Sequence, residues 1–187
     1  MNKASKPIFY TGGGVINSGP KASELLKELV ALTGFPITTT LQGLGSYPGE
    51  DNQFLGMLGM HGTYEANNAM HDCDLLINIG ARFDDRITNT PSMFAPDAKI
   101  VHIDVDPASI SKIINADIPI VGQVKESLLA LIKEIKRSKI KIDSEALDNW
   151  NIQISQWREQ HGLDHDLYLS KIKSSMIAPQ VVVQELY

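Results

Sequence analysis

The chain has 187 residues, of which 43% are hydrophobic and 21% charged, and its net charge at pH 7 is -5. This composition is typical of a water-soluble globular protein with one main core. The acidic balance provides no basic patch for nucleic acid or for an anionic membrane surface, so we expect neither as a partner.

The single cysteine and the apolar runs indicate where the protein works. Cys73 has no partner for an internal disulfide and lacks the spacing of a zinc site, which favours a reducing compartment. No apolar run reaches the roughly 20 residues of a membrane span, and no hydrophobic signal region follows the amino terminus. We therefore expect a cytoplasmic protein, and the sequence offers no metal ligands.

From the amino end, short apolar runs alternate with helix-forming segments. Residues 8–10 predict a strand that leads into the glycines at 12–14, and a helix follows from about Pro20 to just before Gly34. A glycine run between a strand and a helix can place backbone N–H groups against a phosphate. The spacing is neither GxGxxG nor GxxxxGK(S/T), so a simple tight turn is at least as good an interpretation.

The second strand is predicted over residues 35–40. Residues 41–60 contain glycines without a regular pattern and predict a long loop, which in a compact domain is usually functional or mobile. Residues 63–71 predict a helix. His61, just before that helix, has no partner spacing for metal, which favours a hydrogen-bonding or stacking role.

The stretch at 74–86 points most directly to a ligand site. An apolar run of strand length reaches Gly80 and is followed by the charged residues Arg82, Asp84, Asp85 and Arg86. In an open parallel sheet, strands are near-continuous hydrophobic runs, and ligands bind just beyond their carboxyl ends. Opposite charges in one loop suit a ligand with phosphate and ribose hydroxyls. A surface loop whose charges pair with one another explains the pattern equally well.

A further strand over residues 99–105 carries Asp104 near its end. Acids at such positions often bind ribose hydroxyls in nucleotide-binding folds, although a capping carboxylate is nearly as good an interpretation. Asp106 and Pro107 predict the start of a short helix, because they are preferred residues at its cap and first position.

With a strand at 118–122 and a helix at 124–136, about five strands alternate with helices. This pattern predicts an α/β fold, a Rossmann-like doubly wound parallel sheet with a C-terminal helical extension. We expect the sheet domain at 1–137, and a linker with an amphipathic helix packed on it at 138–162. Residues 163–187 are expected to be a linker and the truncated start of another domain, which suggests a fragment.

Five motifs then identify a family. They are GGGVIN at 12–17, TLQGLGSYP at 40–48, LGMHGT at 58–63, GARFDDR at 80–86 and IDVD at 103–106. In this order and spacing they closely resemble the central domain of the catalytic subunits of acetohydroxyacid (acetolactate) synthases, in the thiamine-diphosphate enzyme superfamily. The resemblance covers about residues 6–160, and residues 177–186 resemble the beginning of the family's third domain.

The resemblance implies a reaction. Enzymes of this family condense two pyruvates, or pyruvate and 2-oxobutyrate, to 2-acetohydroxy acids with loss of CO2, in branched-chain amino-acid biosynthesis. Thiamine diphosphate, held by Mg2+ between two other domains, provides the carbanion chemistry, and the central domain binds an FAD without a net redox role. The family also implies homo-oligomers and a small regulatory subunit. No residue of this chain is assigned to catalysis, so we expect the chain alone to be inactive.

The resemblance also implies the FAD contacts, which fall on loops at strand ends. These residues are Gly13, Thr40, Leu41, Leu58, Gly59, Met60, His61, Gly80, Ala81, Arg82, Phe83, Asp84, Asp104, Val105, Gln123 and Val124. Arg82 would address polar groups of the cofactor, Phe83 would pack beside it, and Arg86 would face the substrate channel. Gln123 stands where family members often have an acid, so one contact to the adenosine end stays open.

Two other interpretations stay open. The chain could be the equivalent domain of another thiamine-diphosphate carboligase or decarboxylase. It could also be a standalone nucleotide-binding or partner-binding module, with the helix that carries Trp150 and Trp157 as its interaction face. The apolar residues of that helix recur at spacings of three and four, which also predicts simple packing on the core.

Overall fold

A computed structural model describes residues 1–163 and 177–186. Within them, parallel strands form a six-stranded sheet in the order β3-β2-β1-β4-β5-β6. The strands are β1 (Pro7–Thr11), β2 (Ile37–Thr39), β3 (Phe54–Met57), β4 (Leu75–Ile79), β5 (Lys99–Asp104) and β6 (Ile118–Val121). This order is that of a doubly wound nucleotide-binding sheet, so the predicted Rossmann-like class is confirmed.

Helices flank the sheet. In the described part of the chain they are α1 (Gly13–Asn17), α2 (Pro20–Thr33), α3 (Tyr64–Asp72), α4 (Asp85–Thr88), α5 (Val124–Ser138), α6 (Ser144–His161) and α7 (Pro179–Leu186). None of these helices is both long and apolar enough to cross a membrane. Of the predicted linker and truncated domain start at 163–187, residues 164–176 and 187 lie outside the described residues.

The central strands and α2 form as their sequences predict. Every residue of β1 and β4 is buried, as expected for strands covered by helices on both faces. In α2, Pro20 occupies the first turn and Gly34 ends the helix with φ +67, donating its N–H to Val30 O at 2.7 Å. These terminal residues fix where the chain re-enters the sheet at β2.

The prediction of one long loop over residues 41–60 is wrong in part, because this segment contains the edge strand β3. Gly56 lies in this strand with φ +83, and the pairing with β2 shifts register between Ile37 and Thr39. A short strand with a glycine bulge loses the alternation that makes strands visible in a sequence. The segment therefore extends the sheet by one strand before it reaches the loop at 58–63.

Two further local interpretations do not hold. Of the two left open for the glycines at 12–14, the simple tight turn does not apply, because α1 begins at Gly13. The helix expected from Asp106 is a hydrogen-bonded turn, in which the Asp106 carboxylate accepts the Ala108 N–H at 2.9 Å and the Ser109 hydroxyl at 3.1 Å. Ser111 follows with φ +57, a conformation that does not continue a right-handed helix.

Helix α6 packs against the sheet domain. Trp150 is 1% exposed and donates its indole N–H to Pro7 O at 3.1 Å, and its ring lies edge-on to Trp157 at 5.7 Å. The apolar residues that recur along this helix thus contact the core, as one of the two interpretations predicted, through Trp150. The division of the chain into domains stays a prediction.

Arg158 holds the other end of α6. Its Nε lies 3.3 Å from Oε1 of Glu65, and its Nη2 donates to Phe54 O at 2.9 Å. The Glu65 side chain is 6% exposed, so its carboxylate depends on this partner for charge compensation.

We expect Arg158→Ala to lower the free energy of unfolding by about 2 kcal/mol, because it leaves the Glu65 carboxylate buried without a counter-charge. Urea denaturation measures the change. The double variant Arg158→Ala/Glu65→Gln should recover part of the loss, since it removes the stranded charge. Equal stability of Arg158→Ala and the wild type would contradict this role.

Candidate functional site

The loops that follow β1 and β4 meet at the carboxyl edge of the sheet. The chain leaves β1 toward β2 on one side and leaves β4 toward β5 on the other, so the strand order reverses between them. Ligands of doubly wound folds bind at such a switch point. The glycines at 12–14 and the charged loop at 80–86 occupy this place.

Glycines allow the two loops to touch backbone to backbone. The Gly14 N–H donates to Gly80 O at 2.9 Å. A Cβ atom on Gly14 would lie 2.7 Å from Gly80 Cα, and one on Gly12 would lie 2.5 Å from Gly80 O. Gly80 itself has φ +61, which favours glycine for a second reason. The close approach that Gly80 permits is therefore made by the backbone of Gly14.

The charged loop pairs within itself. Arg82 Nη2 lies 3.0 Å from Asp84 Oδ2, and Arg86 Nε lies 3.5 Å from Asp84 Oδ1. The pKa of Asp84 is lowered to about 2 by contact with the Asp85 carboxyl, the Arg86 N–H and both guanidiniums. Asp84 is thus an anion at neutral pH. The Arg82 and Arg86 side chains are nevertheless 74% and 85% exposed, so each keeps donors free for other partners.

Several of the sixteen residues implied as FAD contacts are buried. They are Leu58, Ala81, Phe83 and Val124. The Phe83 ring lies 5.1 Å from His102 and 6.2 Å from Tyr10, between centroids, so it packs on the core. A ligand contact by this ring would require movement of the loop.

Another group is exposed along the carboxyl edge. Leu41 after β2, Met60 after β3 and Val105 after β5 are 64%, 86% and 56% exposed. His61 and Gln123 are exposed as well, and Gly13 and Gly59 are partly exposed. The carboxyl edge of the sheet therefore carries exposed apolar side chains as well as the exposed guanidinium of Arg82.

Thr40 and Asp104 both hold local turns at strand ends. The Thr40 hydroxyl accepts the Gly43 N–H at 3.0 Å, and Asp104 Oδ1 accepts the Asp106 N–H at 2.8 Å. The capping interpretation of Asp104 is thus observed for one oxygen. Its Oδ2 lies 3.9 Å from His102 Nε2, beyond hydrogen-bond distance, so this oxygen can still accept from a ligand hydroxyl.

Sequence reasoning missed Asn78, the residue that holds the turn after Gly80. Its side chain makes two hydrogen bonds to Ala81. A single asparagine in an apolar run has no periodic signal, although a polar residue in a strand buried on both faces calls for a partner.

Residues 1–131 match the family described as the thiamine pyrophosphate enzyme, central domain. The chain belongs to this family, and the resemblance inferred from the five motifs is confirmed.

The similar curated proteins have one name in common. The chain is 45% identical over 185 residues to the acetolactate synthase large subunit of Buchnera aphidicola subsp. Schizaphis graminum, covering 99% of this chain and 31% of that protein. It is 42% identical over 184 residues to isozyme 3 of Escherichia coli, with 98% and 31% covered. For Corynebacterium glutamicum the identity is 40% over 186 residues, with 100% and 28% covered. The chain therefore spans less than a third of these relatives.

We expect Gly14→Ala to lower the free energy of unfolding by about 1–2 kcal/mol. Alanine favours the helical conformation more than glycine does. The added methyl, however, meets the backbone of Gly80, which cannot rotate away as a side chain could. Gly49→Ala is the matched control, because nothing lies within 4 Å of a Cβ there. Urea denaturation distinguishes the two variants, and a neutral or stabilising Gly14→Ala would contradict the loop contact.

Proposed function

We propose that this chain acts as the central domain of an acetolactate synthase large subunit. The carrying observation is 40–45% identity over 98–100% of the chain to proteins of that name. In the whole enzyme, two pyruvates, or pyruvate and 2-oxobutyrate, would be joined to a 2-acetohydroxy acid with loss of CO2. Thiamine diphosphate and Mg2+, bound by other domains, would provide the carbanion chemistry.

We further propose that the carboxyl edge of the sheet binds FAD. This ligand needs apolar contacts for its rings, a cation for its diphosphate and acceptors for its ribose hydroxyls. Exposed Leu41 and Met60 provide the first, and the exposed guanidinium of Arg82 provides the second. Oδ2 of Asp104, on a side chain that is 14% exposed, would provide the third. The donors and acceptors of this edge thus fit an extended dinucleotide.

Arg82 is the proposed diphosphate contact. Its Nη2 donates to Asp84, which holds the side chain in place, and the guanidinium has further N–H donors for phosphate oxygens. Asp84 is thereby a positioning residue with a negative charge at neutral pH. Arg86 lies in the short helix α4, also pairs with Asp84, and is the proposed contact to the substrate channel.

The proposed partners follow from the family and from the exposed apolar residues. Further domains of the same polypeptide, a second copy of the enzyme and a small regulatory subunit would act together with this chain in the cytoplasm. Met60 at 86% exposed and Leu41 at 64% would be covered by FAD or by a neighbouring domain.

A chimeric enzyme tests the proposed activity. This chain replaces the matching segment of the Escherichia coli isozyme 3 large subunit, and acetolactate formation from pyruvate is measured. We expect activity in the chimera and none in the chain alone. A folded chimera that binds thiamine diphosphate but forms no acetolactate would contradict the proposal.

A titration of FAD into the 187-residue chain tests the cofactor site. We expect saturable quenching of flavin fluorescence, and about tenfold weaker binding for Arg82→Ala because a charge-assisted contact is lost. Lys21→Ala is the control, since Lys21 is also an exposed cation, at 64% against 74% for Arg82, and is paired with Glu24 on α2. Absence of binding by folded wild-type chain would refute the site for this chain.

A further inference from the structure

Asn78 belongs to a row of polar side chains buried across the sheet. In register, Thr38 on β2 lies beside Tyr10 on β1, Tyr10 beside Asn78 on β4, and Asn78 beside His102 on β5. All four are 0% exposed. The Tyr10 hydroxyl and both nitrogens of His102 have no hydrogen-bond partner among the described residues, whereas both ends of the Asn78 amide do.

The two bonds of Asn78 hold one residue. Its Nδ2 donates to Ala81 O at 2.5 Å, and its Oδ1 accepts the Ala81 N–H at 3.2 Å. Gly80, which lies between Asn78 and Ala81 in the sequence, has the left-handed conformation. The chain therefore turns at this point and Ala81 returns toward the strand. One side chain thus satisfies both backbone groups of a loop residue that is 3% exposed.

The two hydrogen bonds from the Asn78 side chain to the Ala81 backbone, here called the clamp, determine where the following side chains go. Directly after Ala81, the Arg82 side chain points outward and is 74% exposed, while Phe83 points inward and is 4% exposed. This division depends on the direction in which the backbone leaves Ala81. An aliphatic residue at position 78 would suit the buried strand but would leave the Ala81 N–H and C=O unpaired.

We propose that Asn78 is a positioning residue of the cofactor site: by holding the backbone of Ala81, its amide aims the Arg82 guanidinium at the diphosphate of FAD. This inference rests on the proposed function for the ligand, but the clamp itself is a property of the free chain. The two parts can therefore be tested separately.

Amide hydrogen exchange, followed residue by residue by NMR, tests the clamp. In the wild type, we expect the Ala81 amide to be protected like amides inside β4, although it lies beyond the strand end. Asn78→Ala should lower this protection by at least about tenfold. Thr33→Val is the control, because it removes a buried bond from a hydroxyl to Leu29 O, on α2 away from this loop, and should leave Ala81 protected.

Asn78→Asp provides a test that general destabilisation does not reproduce. An ionised carboxylate accepts from the Ala81 N–H but repels the Ala81 carbonyl, whereas a protonated one can donate to it. Burial raises the pKa of a carboxyl above its usual value of about 4. The protection factor of Ala81, corrected for intrinsic exchange, should therefore resemble wild type at acidic pH and fall as pH rises. In the wild type it should not depend on pH.

The titratable neighbours do not imitate this profile. Tyr10 and His102 flank the position on β1 and β5, and Asp84 lies in the loop. Burial and the Asp84 charge raise the pKa of Tyr10, while burial lowers the pKa of His102 against the opposing effects of Asp104 and of the Ala81 backbone. Both shifts favour the neutral forms, and Asp84 is already ionised.

FAD titration of the same variants completes the test. Asn78→Ala should weaken binding about tenfold while Thr33→Val binds as the wild type does. Unchanged Ala81 protection in Asn78→Ala, or a pH-independent Asn78→Asp, would overturn the clamp. If neither variant folds, rapid exchange of the wild-type Ala81 amide would overturn it and strong protection would support it. If the wild type binds no FAD, the proposed cofactor site fails, and exchange alone decides the clamp.

Discussion

The structure depends on the backbone contact between the glycines after β1 and Gly80 after β4. Two adjacent parallel strands place their following loops at the same sheet edge, and side chains on both would hold those loops apart. Because Gly12 and Gly14 carry none, the Gly14 N–H reaches Gly80 O at 2.9 Å. The contact brings α1 and the charged loop together at the switch point, where this fold binds its ligands.

The arrangement of residues 81–84 depends on the direction in which the chain leaves that contact. Asn78 turns the backbone at Ala81, Phe83 then packs inward on His102, and Arg82 projects outward. Asp84 keeps its charge at neutral pH and pairs with Arg82. A cation is thus presented from a loop whose backbone is fixed by buried interactions, and in the proposed site this order would reduce the entropy cost of binding a phosphate.

The sequence predicted the parts of this arrangement that depend on local pattern. The apolar run of β4, its end at Gly80 and the termini of α2 all have signals within a few residues. The contact of Gly14 with Gly80 had none, because it joins segments distant in the chain. Strand β3 was hidden by the bulge at Gly56, and Asn78 by its position in an apolar run. The Asp106 turn was mistaken for a helix because both begin with the same residues.

The candidate site was predicted by a different route. The charged loop could be placed at the sheet edge from the sequence, but the full set of contact residues came only from the resemblance. Burial then separates that set, since Leu58 and Phe83 support the loops while Met60 and Arg82 face outward. This separation depends on tertiary packing, which neither motif spacing nor composition encodes.

A crystal structure of the chain grown with FAD would show whether the carboxyl edge of the sheet is the cofactor site. We expect an extended cofactor along this edge, with its diphosphate at the Arg82 guanidinium and the Gly14–Gly80 contact intact. FAD bound elsewhere, for example in the cavity of about 260 Å³ lined by Met70, Ile87 and Phe94, would contradict it. So would a cofactor at the edge that separates the two glycine loops.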